Sequence, residues 1–350
     1  MNFNSDNVHG VDEAILAALG EANTGTARAY GYDDWTLAAE ARLREVFETD
    51  VAAFLVVTGT AANSLALAAC CPPYGGVVCH HEAHIVVDEC GAPELFSGGA
   101  RLMGARGAGG KITPSTVAAL LATLGRGEHE QRPSVLSISE ATELGTVYTP
   151  AEVATLAALA RERRMHTHMD GARIANALAR LGCTPAELTW KAGVDVLSFG
   201  ATKNGAMGVE AVVFFDAALA TDFRYLRKRT GHLVSKNRFL AAQMLAYLAD
   251  DRWMRNARHA NLMADRLAAA FSALPGVRLP LPVEANAVFA IVPRTLHEHL
   301  QAQGARYLVW PGEGPGTDAV GAGEVFIRLL TSFRTTATDV DALVRAADAG

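Results

Sequence analysis

The sequence predicts an α/β protein with a largely parallel central sheet, followed by a smaller α+β domain. Short apolar runs alternate with helix-period segments through most of the chain, the pattern of strands joined by crossover helices. Small residues mark the turns out of two of the apolar runs, at Thr58-Gly59-Thr60 and again at Gly200-Ala201. After residue 215 the alternation gives way to a long helical stretch and then three short strand-like runs. With 350 residues, half of them hydrophobic, the chain has material for one large core or two unequal ones.

Taken in order, residues 1–20 form an N-terminal arm, 21–245 a large domain and 246–350 a small C-terminal domain. "TLAAEARLREVF" (36–47) has the spacing of an amphipathic helix, and "AAFLVV" (52–57) that of a buried strand. "TGTAANSLALAA" then turns from that strand into a second helix. Further strands are expected at "GVVCH", "VLSIS" (135–139), "MHTHMD" (165–170), "DVLSF" (195–199) and "EAVVFF" (210–215). "PAEVATLAALARERR" (150–164) is a helix with Pro150 in its first turn, where a missing N–H costs nothing. The stretch from Arg238 to Leu274 is helical, and "NAVFAIV", "YLVW" and "EVFIRLL" supply the strands of the small domain.

Net charge is −6, without long basic runs, which excludes a nucleic-acid or anionic-membrane surface and favours a small-molecule partner. The polar N-terminus has no signal-peptide pattern and no apolar run is long enough to span a bilayer, so a cytoplasmic protein is expected. The five cysteines form no C-x-x-C pair, which fits buried reduced thiols.

Three motifs carry chemistry. The Thr58-Gly59-Thr60 turn offers backbone N–H groups at a positive helix end, a cradle suited to phosphate. In "MHTHMD", His166, His168 and Asp170 fall on one strand face, so a metal site must be weighed; no further cluster completes it, and none is expected. The alternative is an Asp170 carboxylate at a strand's carboxyl end, holding a proton on a heterocycle nitrogen. Lys203, in the small-residue loop "GATKNGAMG", has room beside it for a planar group and can form an imine with an aldehyde. Phosphate cradle, strand-end Asp and strand-end Lys, in that order, fit an enzyme using pyridoxal 5′-phosphate (PLP).

The chain resembles the low-specificity L-threonine aldolases, PLP enzymes of fold type I in the aspartate aminotransferase-like superfamily. The likeness runs through "SDN" (5–7), "TGTAAN" (58–63), "EAHIVVDECGAPE" (82–94), "SEATELGTVYT" (139–149), "HMDGARIANAL" (168–178), "SFGATKNG" (198–205) and "IRLLTSF" (327–333). It implies that residues 21–245 are a PLP-binding domain in which Lys203 bonds the cofactor aldehyde and Asp170 keeps its ring nitrogen protonated. It further implies that His84 stacks on the ring and serves as the base, that Gly59 and Thr60 hold the phosphate, and that Ser5, Arg173 and Arg328 surround the substrate carboxylate, with Arg173 also beside the cofactor. The expected reaction cleaves L-threonine, L-allo-threonine and related β-hydroxy-α-amino acids to glycine and an aldehyde. Alternatives are a phenylserine-type aldolase, a β-eliminating lyase, an aminotransferase, and a PLP-binding protein without turnover. The resemblance implies a homodimer or homotetramer with sites at subunit interfaces, which the loop around Tyr30 could reach. Where many members carry a glycine-rich segment this chain has "GHLVSKNRF", so Arg229, Lys236 and Arg238 receive no role; His129 lies near the place of a second family histidine.

Overall fold

The computed structural model describes residues 1–311 and 320–349. Seven strands, β1 (Ala52–Val56), β2 (Gly75–His80), β3 (Arg101–Ala105), β4 (Arg132–Ser139), β5 (His166–Gly171), β6 (Val196–Gly200) and β7 (Glu210–Phe214), form one sheet in the order β1-β7-β6-β5-β4-β2-β3. The block from β3 to β6 is parallel, whereas β7 runs antiparallel to both neighbours. Residues 201–209 are too few for a crossover helix, so β7 can only turn back beside β6.

Both faces of the sheet are covered, which is why its strands are continuous apolar runs. Leu136, Met169, Leu197 and Val213 enter one core. Their neighbours Val135, Val196 and Val212 point the other way, into a core shared with the helix Gly59–Cys70. The register sets Ser139 beside Asp170 and Asp170 beside Ser198, so three carboxyl ends finish level. The edge strand β3, "RLMGA", is absent from the sequence-based expectation because its half-exposed, glycine-containing run lacks an apolar signature.

A second sheet of β8 (Ala287–Pro293), β9 (Leu308–Val309) and β10 (Glu324–Leu330) is antiparallel, in the order β8-β10-β9. It encloses its own core with the helices Arg252–Phe271, Arg294–Ala302 and Ala337–Asp348. The long helical stretch is broken between Leu248 and Arg252, where Asp250 and Asp251 take left-handed backbone angles. The first piece packs on the helices Glu13–Ala22 and Asp34–Phe47, the second on Ile174–Leu181 and Ala337–Asp348. The N-terminal residues join the two sheets' surroundings. Phe3 exchanges backbone hydrogen bonds with Arg306 (2.7 Å) and Leu330 (2.8 Å), and the Asp12 N–H donates to the Gly205 carbonyl (2.8 Å). Among the described residues no helix is long and apolar enough to cross a membrane.

Candidate active site

The site begins where β6 ends. At Gly200 an added Cβ would lie 2.6 Å from the Ala172 carbonyl oxygen, so only glycine lets β6 approach the turn after β5 this closely. The following loop is tied down at both ends. The Ala201 N–H donates to the Glu210 carboxylate (2.6 Å), and the Asn204 amide donates to the Tyr247 hydroxyl (2.9 Å) and the Trp253 carbonyl (2.8 Å). Lys203 is thereby held at a cavity of about 360 Å³ that Gly59, Thr60, His84, Asp170 and Glu210 also line. Burial, and then the Arg173 charge, push the Lys203 amine below its usual pKa, which favours the nucleophilic neutral form.

Asp170 is buried at the end of β5. Its Oδ1 accepts from the Ala172 N–H (3.0 Å) and its Oδ2 from the Asn63 amide (2.8 Å). Burial alone would raise this carboxyl's pKa, but the charges of His84 and Lys203 and the Asn63 hydrogen bond hold it below the usual value. An anion at this depth matches a cationic heterocycle nitrogen. His84 opens the short helix His84–Val87; its N–H donates to Glu143 (2.8 Å) and its Nδ1 bonds Glu89 (2.7 Å). Burial works to lower the His84 pKa, but the Glu89 hydrogen bond and the Asp170 charge outweigh it and raise it.

The helix Gly59–Cys70 points its amino end into the same cavity. The Thr58 hydroxyl accepts from Ala61 (3.1 Å) and its carbonyl from Ala62 (3.0 Å). The N–H groups of Gly59 and Thr60 are left without a hydrogen bond among the described residues, an anion cradle at a positive helix end.

A second cavity of about 210 Å³ adjoins the first through His84 and Lys203, and is lined by Ser5, Asp6, Arg173, Trp310 and Arg328. Arg173 is already paired: its Nε donates to Asp6 (2.7 Å) and its Nη2 to the other Asp6 oxygen (3.3 Å). Arg328 is different. Its guanidinium lies 4.9 Å from the Trp310 ring centroid, and its Nε is buried without a hydrogen-bond partner among the described residues. Burial and the Arg173 charge push its pKa down to about 10, against the opposing charges of Asp6 and Asp88. Ser5 caps the turn Asp6–Val8, its hydroxyl accepting from the Asn7 N–H (3.1 Å).

The structure thus gathers Ser5, Gly59, Thr60, His84, Asp170, Arg173, Lys203 and Arg328 around two joined cavities. It separates others. His168 bridges Ser137 (2.9 Å) and Ser198 (3.1 Å) across three strands, and burial pushes it to about 4, while His166 lies 3.8 Å from Asp195. The two histidines therefore do not converge with Asp170 on one ion; alternate positions share a face but are spread along it. His129 is exposed and precedes the amino end of β4, opposite the carboxyl ends, and lines neither cavity. Arg229, Lys236 and Arg238 line neither cavity; Arg238 contacts Phe239 and the Thr24 carbonyl. Sequence reasoning did not single out Asp6, Asn63, Glu89, Glu143 or Trp310. The first four lie inside the quoted motifs, and the signal for them was a polar residue fixed within a motif of otherwise explained residues.

The beta-eliminating lyase family model matches residues 2–295. The chain is 49% identical over 312 residues to the low specificity L-threonine aldolase of Pseudomonas aeruginosa, covering 89% of this chain and 90% of that one. It is 25% identical to that of Saccharomyces cerevisiae, over 79% of this chain and 70% of the yeast protein. Among solved structures, Leishmania major threonine aldolase superposes with a TM-score of 0.92 at 27% identity, covering 99% and 98% of the two chains. Sphingomonas wittichii serine palmitoyltransferase, at 15% identity and TM-score 0.71 over 100% of this chain and 86% of that one, shares the fold. The chain therefore belongs to the beta-eliminating lyase family, among its low specificity L-threonine aldolases.

Proposed function

We propose that this protein is a PLP-dependent aldolase that cleaves the Cα–Cβ bond of L-threonine, L-allo-threonine and related β-hydroxy-α-amino acids to glycine and an aldehyde. The observation that carries this is the joining of an amine, an anionic carboxylate and an anion cradle in one cavity to an arginine in the next whose Nε has no hydrogen-bond partner among the described residues. PLP fits these residues. The free N–H groups of Gly59 and Thr60 would hold its phosphate, the Asp170 anion its protonated ring nitrogen, the His84 ring its face and the Lys203 amine its aldehyde carbon. When bound, PLP supplies an electron sink for the carbanion left as the bond breaks.

The chain's own residues do the rest. Arg328 pairs its free Nε edge with the substrate carboxylate, and Ser5 adds a hydroxyl beside it. Arg173, held by Asp6, shapes the second cavity and adds positive potential beside Lys203 and Arg328. With the carboxylate fixed, the side chain is turned toward His84, whose Nε2 takes the β-hydroxyl proton. The same proposal includes the division into arm, large domain and small domain, a cytoplasmic location, and a homodimer or homotetramer. Exposed Leu16, Tyr30, Tyr32 and Leu37 near the N-terminus offer apolar surface for such an interface.

The deciding experiment supplies L-threonine to the PLP-loaded protein and identifies the products. Equimolar glycine and acetaldehyde are expected. Release of ammonia and a 2-oxo acid would show β-elimination as the activity, and a new amino acid formed when a 2-oxo acid acceptor such as pyruvate is added would show transamination. If phenylserine is turned over with a kcat/KM well above that for threonine, the aldolase acts on bulky substrates.

A further inference from the structure

Glu89 is 3% exposed, and the contacts of its carboxylate are uneven. Oε1 is shared between the His84 Nδ1 (2.7 Å) and the Asn63 amide nitrogen (2.8 Å), while Oε2 is buried with no hydrogen bond among the described residues. A buried carboxylate left half satisfied is a poor way to stabilise a fold, since a well-packed apolar residue would serve better. Its partners show another use. The same Asn63 nitrogen also donates to Asp170 (2.8 Å), so His84, Glu89 and Asp170 bring ligand-type atoms within 4.8 Å of one another.

We propose that Glu89 is the positioning residue for His84: it fixes the ring as the Nδ1–H tautomer, turns Nε2 to the cavity as the acceptor, and through Asn63 keeps the ring in register with Asp170. The tautomer follows from chemistry, because an ionised carboxylate can only accept and Nδ1 must then donate. This deepens the proposed function and rests on His84 being the base. When Nε2 takes the hydroxyl proton, both ring nitrogens carry hydrogen and the positive charge sits against Glu89; no proton passes on to the carboxylate, which stays the acceptor. The charged groups around His84 are Glu89 and Asp88 beyond its own helix, Glu143 after β4, Asp170 on β5, Arg173 beyond it, and Lys203 after β6. Of these, Glu89 alone touches the ring nitrogen.

The test compares Glu89→Gln, His84→Asn and the double variant, all loaded with PLP. The pH dependence of kcat for threonine cleavage is measured together with side-chain ¹⁵N NMR of ¹⁵N-histidine-labelled protein, in which His84→Asn identifies the His84 signal. Glu89→Gln is expected to lower kcat roughly 10- to 100-fold, part of the 10²–10⁴ that a positioned base supplies, with KM nearly unchanged. Loss of the carboxylate destabilises the imidazolium, so the acidic limb of the profile moves to lower pH, and the NMR signal leaves the pure Nδ1–H tautomer. In the His84→Asn background, Glu89→Gln should add no further loss. An unchanged limb and tautomer in Glu89→Gln, or additive losses in the double variant, would overturn the proposal. If His84→Asn keeps full kcat while Glu89→Gln still shifts the tautomer, the base assignment fails and the positioning role stands. Should Glu89→Gln not fold, Glu89→Asp keeps the charge one methylene short. It should retain the limb and lose kcat, and full kcat in Glu89→Asp would overturn the positioning role.

Discussion

Lys203 and Arg328 lie in one connected space but are tuned by different surroundings. Lys203 is depressed by burial and Arg173, and partly rescued by Asp6, Asp170 and Glu210, so its amine can lose its proton without becoming inert. Lys203→Ala should therefore bind PLP without the visible Schiff-base band and lose at least about 10³-fold in kcat, read by an absorption scan and aldehyde release. Arg328 differs, its buried Nε having no hydrogen-bond partner among the described residues. Arg328→Lys keeps charge but loses the planar fork, so KM for threonine should rise roughly 10-fold, about 1.4 kcal/mol, while the Schiff-base band persists. A full loss of the band in that variant would place Arg328 with the cofactor. That Lys203 and Asp170 would meet at one cavity was legible in the sequence, because one lies at a strand's end, the other just past the next strand, and both follow a phosphate-type turn. Asp6 and Glu89 were not, because a carboxylate that acts on another side chain has no spacing rule; only the folded contact reveals it.

At the level of elements, the level carboxyl ends of β4, β5 and β6 place the chemistry. The buried strands were readable from their apolar runs, since a sheet covered on both faces leaves no polar alternation to confuse them. The reversal of β7 was not read, although the shortness of the 201–209 loop required it; nor was the break at 249–251, because neither proline nor glycine marks it. Gly200 is where element geometry and chemistry meet. In Gly200→Ala the new methyl would press on the backbone of Ala172, which cannot swing aside as a side chain could. The expected cost is about 1–3 kcal/mol of stability, with weaker PLP retention because β6 and the loop carrying Lys203 move away from Asp170. Denaturant midpoints with and without PLP check this; a variant of unchanged stability and PLP affinity would show that the turn after β5 yields freely.

Across the whole molecule, the N-terminal residues link two cores that the sequence predicts only as separate regions. Phe3 is fully buried in the core of the second sheet, yet it stands two and three residues before Ser5 and Asp6, which line the cavity with Arg173 and Arg328. Asn286, which precedes β8, donates both to Asp6 (3.3 Å) and to the Thr331 carbonyl (2.7 Å), so the second cavity is bounded by parts of both sheets. The Lys203 loop accepts a backbone hydrogen bond from Asp12 at Gly205, but its Asn204 side chain is anchored to Tyr247 and Trp253 in the first core. Phe3→Ala should consequently separate the two halves of the site. Removing the ring from a closed core costs about 3–5 kcal/mol, read as a lower unfolding midpoint. Glycine and threonine should bind more weakly as Ser5 and Asp6 lose their anchor, while the Schiff-base band at Lys203 keeps its intensity and position. If instead the band fades in step with substrate affinity, the two cores respond as one unit and the arm's role extends to the cofactor.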